Sequence, residues 1–374
     1  MDFNLSEQEK MIQSLSMDFA QRRVRPLARE IDRSGDFPFE IAREMGGLGF
    51  YGLPYPQEYG GTAAGYASYV LAIEQLCRAS MAVGAIVAIN SLVEESIFRF
   101  GGDGQKRDFL LPLASGKSLG CFAFTEPATG SDPRAIVTRA KPEDGEYVIE
   151  GEKNFVSLSP AADIALIFAK DETERVSAFI VETSLPGFVL RRPCETMGVR
   201  GLGTSVVYLD GVRIPRNNLL GEKGQGYEIL LEALSVGKLG VAAEAVGVAQ
   251  EAIDLSLNYA RQRMAYGRPI ANLLTVQWLL AEMATRVEAG RWLTYRTAFL
   301  RDQGANIQKE SAIAKLFCSQ AAVEVTSMAM QVHGAYGYMK DLEVERLYRD
   351  AKLTEIYEGV SEIQRVIIAG HMVR

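Results

Sequence analysis

Apolar residues fall at two different spacings along this chain, and the spacing changes twice. Val241, Ala245, Val248, Ala252, Leu255 and Tyr259 follow steps of four and three, which align one face of a long helix. Leu280, Met283, Val287 and Gly290 repeat the pattern, as do Ala314, Phe317, Ala321, Val325, Met328 and Val332. Three long helices with short connections predict a helical bundle over residues 224–374. Residues 1–118 also read as helical. Ser6 with Glu7 and Glu9 marks a helix start, and Pro26 interrupts or kinks that segment. Pro54, Pro56, Gly60 and Gly61 mark a loop. A second apolar helix is predicted from about Tyr66 to Phe100, stopped by Gly101 and Gly102.

Between residues 119 and 223 the texture is strand-like. Tyr147–Ile149, Ala165–Phe168, Ala178–Val181 and Val206–Leu209 are short β-branched or aromatic runs separated by Gly, Pro and Asp, which predicts an all-β module. The expected fold class is therefore α+β and mainly α: an N-terminal helical domain, a middle β domain and a C-terminal helical domain. The chain lacks the alternation of a doubly wound sheet. It also lacks a Gly-x-Gly-x-x-Gly between strand and helix and a phosphate-loop lysine, which argues against nicotinamide and NTPase chemistry.

Composition narrows the classes further. The 374 residues are 48% hydrophobic and 23% charged, ordinary globular usage that excludes a disordered or collagenous chain. A net charge of -7 gives no reason to expect a nucleic acid or an anionic membrane as partner. Cys77, Cys121, Cys194 and Cys318 have neither metal nor redox spacing and read as buried reduced thiols. With only His333 and His371, no metal site is expected and a Ser-His-Asp hydrolase is disfavoured. The polar start Met1–Glu7 lacks the pattern of a signal peptide, and apolar runs such as Val83–Ile89 are too short for a bilayer. The expected compartment is reducing and cytoplasmic.

Three segments could carry chemistry. In the first, Ile356 to Arg365, Ser361 and Gln364 have capping-box spacing, so a helix starts near Ser361 and leaves Glu358 on a turn beside Gly359. Tyr357 could desolvate the Glu358 carboxylate and make it a general base; the plain alternative is a solvated acid near a helix start. In the second, Thr125 to Pro133 follows the apolar run Gly120–Phe124, and its small residues and hydroxyls could offer N–H groups to a polar ring edge or phosphate. Ser131 and Asp132 could instead simply cap a turn. In the third, Arg261 to Gly267 ends the long helix, where arginine pairs with pyrophosphate and Tyr266 can stack on a planar ring. Charge complementing the helix dipole is the alternative.

Together with Pro56–Gly61, Arg349–Lys352 and the tail Ile367–His371, these segments resemble the acyl-CoA dehydrogenase flavoenzymes over almost the whole chain. The short-chain, butyryl-type members are the nearest in kind. The resemblance implies a β-barrel middle domain and a four-helix bundle at the C-terminus. It also implies a homotetramer built as a dimer of dimers, non-covalent FAD, and electron transfer to an electron-transferring flavoprotein in fatty acid metabolism. The implied reaction is α,β-dehydrogenation of an acyl-CoA, with Glu358 as base, hydride passing to the flavin, and the base's own N–H aimed at the thioester oxygen.

Carried across, the FAD contacts are Phe122, Ala123, Phe124, Thr125, Gly130, Ser131, Phe155, Ser157, Gln331, Gly334 and Gln364. Arg263 and Tyr266 would reach the FAD of a neighbouring subunit. Ser131, Tyr357 and Gly359 would lie near the substrate. Some members carry the base on the long helix; the matching position here is Gly237, and Glu244 is the nearest acid. Phe155–Leu158 replaces the usual Trp-Ile-Thr-Asn. Leu274, Val360, Ala335 and Lys238 replace a Gln, a Thr, a Gly and a first-turn Arg. These departures leave open an enoyl-CoA reductase or a cyclic or atypical acyl-CoA as substrate. A scaffold without cofactor is a further alternative, and it predicts a colourless protein.

Overall fold

The computed structural model describes residues 4–373; the first three residues of the polar start lie outside it. Helices α1 (Glu7–Phe19) and α2 (Arg25–Ser34) run end to end through a wider turn at Ala20–Val24. The predicted start is a full capping box: Ser6 accepts from the Glu9 N–H, and the Glu9 carboxylate accepts from the Ser6 N–H at 2.6 Å. Pro26 does not end the segment. It sits in the first turn of α2, and the Arg25 N–H reaches back to Ala20 O across the wider turn, which accommodates the proline.

α3 (Phe39–Gly47) precedes α4 (Gly65–Ala79) and α5 (Met81–Phe100). The stretch predicted as one helix from Tyr66 to Phe100 is thus two. Ser80 is extended between them (φ −157°, ψ 118°), and burial on both sides of the break hides it from apolar patterning. Among the described residues α5 is the one helix long and apolar enough to cross a bilayer, contrary to the expectation that no run suffices. Yet 94% of its apolar window is buried in the core, where it also carries Asn90, Glu94 and Glu95. Two single turns, α6 (Asp103–Gln105) and α7 (Leu111–Ala114), lead into the strands.

The middle module is one eight-stranded mixed sheet of β1 (Gly120–Ala123), β2 (Arg139–Glu143), β3 (Glu146–Val156), β4 (Ile164–Lys170), β5 (Val176–Glu182), β6 (Phe188–Pro193), β7 (Ser205–Pro215) and β8 (Leu219–Leu220). The order is β6-β7-β3-β2-β4-β5-β8, with β1 parallel to β4; the end strands β6 and β8 are not paired with each other. β4 is buried from Ile164 to Ala169, as its unbroken apolar run requires. Asn90 Oδ1 accepts from the Gly120 N–H at 2.7 Å and fixes β1 against α5.

The C-terminal part is α8 (Gly226–Gln262), the small hairpin β9 (Met264–Ala265) and β10 (Arg268–Pro269), then α9 (Leu274–Asp302), α10 (Gln308–His333), α11 (Val344–Leu353) and α12 (Ser361–Met372). The periodic positions Val241, Ala245, Val248, Ala252, Met283, Val287, Ala314, Ala321, Val325 and Val332 are buried; Phe317 is not. α8 is the central helix, packed against α4, α5, α9 and α10, while α12 packs on α10. The Arg349–Asp350 pair joins all three parts. Arg349 binds Asp32 at 2.7 Å and donates to Met197 O at 3.0 Å, and the buried Asp350 accepts from the Val199 N–H at 2.5 Å.

Candidate active site

Glu358 lies on the turn between α11 and α12 with φ 52°, and Gly359 follows with φ 89°. Two successive left-handed residues are costly for a non-glycine, so the surroundings must hold the turn. They do. Gln364 Nε2 donates to the carbonyls of Glu358 (3.2 Å) and Gly359 (2.7 Å), and Lys315 Nζ donates to Gly359 O at 2.7 Å. α12 begins at Ser361 as predicted, but the capping box does not form: the N-cap is Val360, and the Gln364 side chain is spent on the turn. Its Oε1 is buried and unpartnered.

The Glu358 carboxylate points inward. Its Oε2 is buried without a hydrogen-bond partner, and burial raises the group to about 7 against the pull of Lys238 and Lys315. Burial in turn lowers both lysines to about 8, while Glu358 pulls each back up. Lys238 lies well inside α8, which starts at Gly226, rather than in its first turn. Gly237 explains how the carboxylate fits. A Cβ there would stand 2.7 Å from Glu358 Oε2 and 2.7 Å from Leu92 Cδ2, so the bare helix surface at Gly237 is the seat of the carboxylate.

Tyr357 is tied to α8. Its hydroxyl donates to Glu244 Oε2 on α8. Glu244 is fully buried; burial, then the nearby Glu358, holds it well above the usual carboxylate range. Its Oε1 has no partner. The Glu358 N–H has no acceptor among the described residues and is free for a ligand.

A second group of predicted residues gathers at the end of β1. β1 pairs only with β4, so the backbone on the other side of Phe122 and Ala123 has no strand partner. Thr125 O accepts from the Asn154 N–H at 2.8 Å, which brings the Phe155–Ser157 corner beside this edge. Phe155 has φ 56° and its ring is 68% exposed, an apolar face held outward by a strained backbone. Ser157 Oγ lies 3.2 Å from Thr204 Oγ1. Gly130 and Ser131 are exposed in the loop beyond, and Asp132 does cap a turn, accepting from the Arg134 N–H at 3.1 Å. The carrier of this loop is a residue the sequence reading passed over. Lys153 Nζ, wholly buried, donates to Glu126 (2.7 Å), Phe124 O (3.2 Å) and Phe168 O (2.5 Å). Glu126 also accepts from the Val137 and Thr138 N–H groups at 2.5 and 3.1 Å.

The third group stands apart. Arg263 follows the last residue of α8 and stacks over the Tyr336 ring at 5.5 Å. Tyr266 is 92% exposed at the tip of the β9–β10 hairpin, and Gln331 and Gly334 are exposed near the end of α10. Arg263 lies 26 residues beyond Gly237, roughly 39 Å along α8 at 1.5 Å per residue. Leu274 and Trp278 add exposed apolar surface nearby, at 80% and 61%.

The residues suit a flavin dinucleotide in kind: a strand side without a strand partner, an exposed aromatic residue, a hydroxyl, and the unpartnered buried Gln364 Oε1. Among the described residues no cluster of His, Cys, Asp and Glu suits a metal ion.

Three family models match almost the whole chain. They are the N-terminal domain of acyl-CoA dehydrogenase over residues 6–117, its middle domain over 121–212 and its C-terminal domain over 224–373. The chain is 41% identical to an acyl-CoA dehydrogenase of Bacillus subtilis (strain 168), covering 99% of both. It is 42% identical to the acryloyl-CoA reductase (NADH) of Anaerotignum propionicum, covering 100% of this chain and 96% of that one. Among solved structures it superposes on butyryl-CoA dehydrogenase from Megasphaera elsdenii with a TM-score of 0.98, 35% identity and full coverage of both chains.

Proposed function

The chain belongs to the acyl-CoA dehydrogenase family, and from that membership we propose that it removes the α- and β-hydrogens of a short or compact acyl-CoA, with Glu358 taking the α-proton. It is an FAD-dependent oxidoreductase of that family. The observation that carries the proposal is the buried, unpartnered Glu358 Oε2 lying against the bare backbone of Gly237.

Glu358 has the properties the step needs. A general base works best when its pKa lies near the working pH, and burial brings this carboxyl to about 7. The clamp of Gln364 and Lys315 fixes the turn, so the carboxylate does not have to be positioned anew in each cycle. The free Glu358 N–H is available to the thioester oxygen, where one preorganised donor contributes about 3 kcal/mol to stabilising a developing enolate. Lys238 and Lys315 counter the burial and keep part of Glu358 ionised at neutral pH.

Phe122 to Thr125, Gly130, Ser131, Phe155, Ser157 and Gln364 would hold FAD, which when bound accepts the β-hydrogen as hydride. Ser131, Tyr357 and Gly359 would border the substrate. Gln331, with the Gly334 turn, would complete the cofactor site, while the separation of Arg263 from Gly237 along α8 supports Arg263 and Tyr266 serving the FAD of a second copy, within a homotetramer. Electron-transferring flavoprotein is the proposed acceptor. Four unpaired cysteines, three of them buried, suit a reducing, cytoplasmic compartment.

A second reading runs the chemistry backwards, as an enoyl-CoA reductase. It is favoured by the similarity to an acryloyl-CoA reductase and by a Glu358 titrating near 7, which can give a proton as readily as take one. Steady-state rates in both directions, on matched acyl- and enoyl-CoA thioesters, decide between the two.

The pH dependence follows from Glu358. Dehydrogenation needs its ionised form, so flavin reduction rises with pH through about 7. Stability runs the other way. The folded-state value is above the ordinary 4.5, so this group's contribution is full below 4.5 and is lost as pH rises through about 7. Lys238→Met removes one of the two opposing cations and moves the rising limb up by roughly one pH unit or more. The variant is slow at pH 7 and approaches the parent at pH 9. Stopped-flow flavin reduction between those values checks this; an unmoved limb means Lys238 does not tune Glu358.

A further inference from the structure

From the end of α11 to the start of α12 the backbone around Glu358 is closely bonded. The Ile356 and Tyr357 N–H groups donate to Leu353 O at 2.9 and 3.2 Å, and the Ser361 N–H donates to Glu355 O at 3.1 Å. Gln364 and Lys315 hold the carbonyls of Glu358 and Gly359. The peptide unit joining Tyr357 to Glu358 is different. Neither of its polar groups, Tyr357 O and the Glu358 N–H, has a partner among the described residues. That unit carries the donor assigned above to the thioester oxygen. It also leads into a residue with φ 52°, which is costly for anything but glycine. With no hydrogen bond of its own, its direction is set by whatever holds its two ends.

The Glu358 end is held by the clamp. The Tyr357 end is held through the side chain. The ring packs against the hydrophobic core, and the hydroxyl donates to Glu244 Oε2. Glu244 stands on α8, the central helix, packed against α4, α5, α9 and α10, so the anchor point is rigid. It is completely buried, and its other oxygen, Oε1, has no partner. Accepting from Tyr357 is thus the one hydrogen bond Glu244 makes among the described residues. Burial, then the nearby Glu358, favours its uncharged form, so an amide oxygen can stand in for it as acceptor.

We propose that Glu244 is a positioning residue for the reaction: by accepting from the Tyr357 hydroxyl it fixes the Tyr357–Glu358 peptide and so aims the Glu358 N–H at the thioester oxygen. This rests on the acyl-CoA reading above and deepens it, naming the residue that orients the oxyanion donor. Glu244 acts through Tyr357, and its part differs from that of a base.

The test uses the FAD-loaded protein and its Glu244→Gln, Glu244→Leu and Tyr357→Phe variants. Anaerobic stopped flow gives the limiting rate of flavin reduction by butyryl-CoA. Calorimetry gives the affinity of the oxidised protein for crotonyl-CoA, and amide hydrogen exchange without thioester reports on residues 354–360. Glu244→Leu and Tyr357→Phe should each lower the limiting rate ~10²-fold, the loss that a misplacement of about 1 Å can cause. Affinity falls far less, because the donor acts mainly on the developing enolate. Exchange over 354–360 quickens in both. Glu244→Gln keeps the parent rate and the parent exchange. The Glu244→Leu/Tyr357→Phe double variant loses no more than either single one, as two ends of one bond require. A merely structural role would lower melting temperature or FAD retention and leave the rate of the FAD-loaded fraction unchanged. A parent-like limiting rate in Glu244→Leu overturns the proposal, as does an equal loss in Glu244→Gln, which would make the acid itself the needed group. Should Glu244→Leu not fold, a parent-like rate in Tyr357→Phe overturns it equally. If butyryl-CoA does not reduce the parent flavin, the dehydrogenase reading fails, and exchange still decides the anchor: faster in Glu244→Leu or Tyr357→Phe than in Glu244→Gln upholds it, and equal exchange overturns it.

Discussion

Glu358→Gln is expected to purify as a folded yellow protein whose flavin is reduced by butyryl-CoA at least ~10²- to 10⁴-fold more slowly than the parent's. The amide keeps the shape of the side chain, so the fit against Gly237 and Leu92 survives. The clamp from Gln364 and Lys315 engages only backbone carbonyls of this turn and does not depend on the carboxylate. What disappears is proton acceptance. The neighbouring Glu244 does not substitute: burial, more than the nearby Glu358, pushes it well above the usual carboxylate range, and it already accepts from the Tyr357 hydroxyl. Absorbance spectra report the bound flavin, and anaerobic stopped flow reports the rate. Parent-like reduction would remove Glu358 as the base and direct attention to Glu244→Gln.

The second large effect concerns stability. Lys153→Met is expected to destabilise the protein by about 3–5 kcal/mol, because it leaves the buried Glu126 carboxylate without its cation. Both side chains are almost inaccessible, and Lys153 also ties Phe124 O to Phe168 O, so the loop after β1 loosens with it. Weaker FAD retention should accompany the loss. Burial pushes Glu126 up, but Lys153 and the Thr138 and Val137 contacts outweigh it and hold the group below its ordinary 4.5. The ion pair's contribution is therefore full above 4.5 and fades as pH falls further, and it is lost again as pH rises through about 8, to which burial lowers Lys153. Denaturant titrations at pH 7 should show the large gap between variant and parent, and titrations in acid a smaller one. A Glu126→Gln/Lys153→Met double variant should recover part of the loss.

The comparison of pattern with structure separates what is local from what is not. The 3.6-residue rhythm of α9 and α10 was legible because each turns one face to the core, whereas α8 is buried on every side from Ser235 to Ala249 and was legible from its length and the spacing of its larger apolar residues. The Ser6 cap was legible for the same reason, since all its partners lie within three residues. The break at Ser80 was not, because two helices buried on every side read as one apolar run. At α12 the Ser-x-x-Gln spacing misled: Gln364 has a tertiary use on the Glu358 turn that outweighs its use as a cap.

The site divides in the same way. Glu358 on its turn could be anticipated from the glycine and the helix start that follow it. Its burial could not, since that depends on Gly237 and Leu92, far off in the chain. Lys153 and Lys315 carry no sequence signal as members of a site, since each acts through a partner brought near only by folding: Glu126 and Gly359.

Deuterium uptake at the acyl α-carbon measures proton abstraction itself. Butyryl-CoA is held anaerobically in D2O with catalytic amounts of enzyme, then recovered for mass spectrometry. The parent should introduce α-deuterium at a rate that rises with pH through about 7, and Glu358→Gln should not exceed the enzyme-free control. Uptake by Glu358→Gln as fast as by the parent would contradict the assignment of Glu358 as the base.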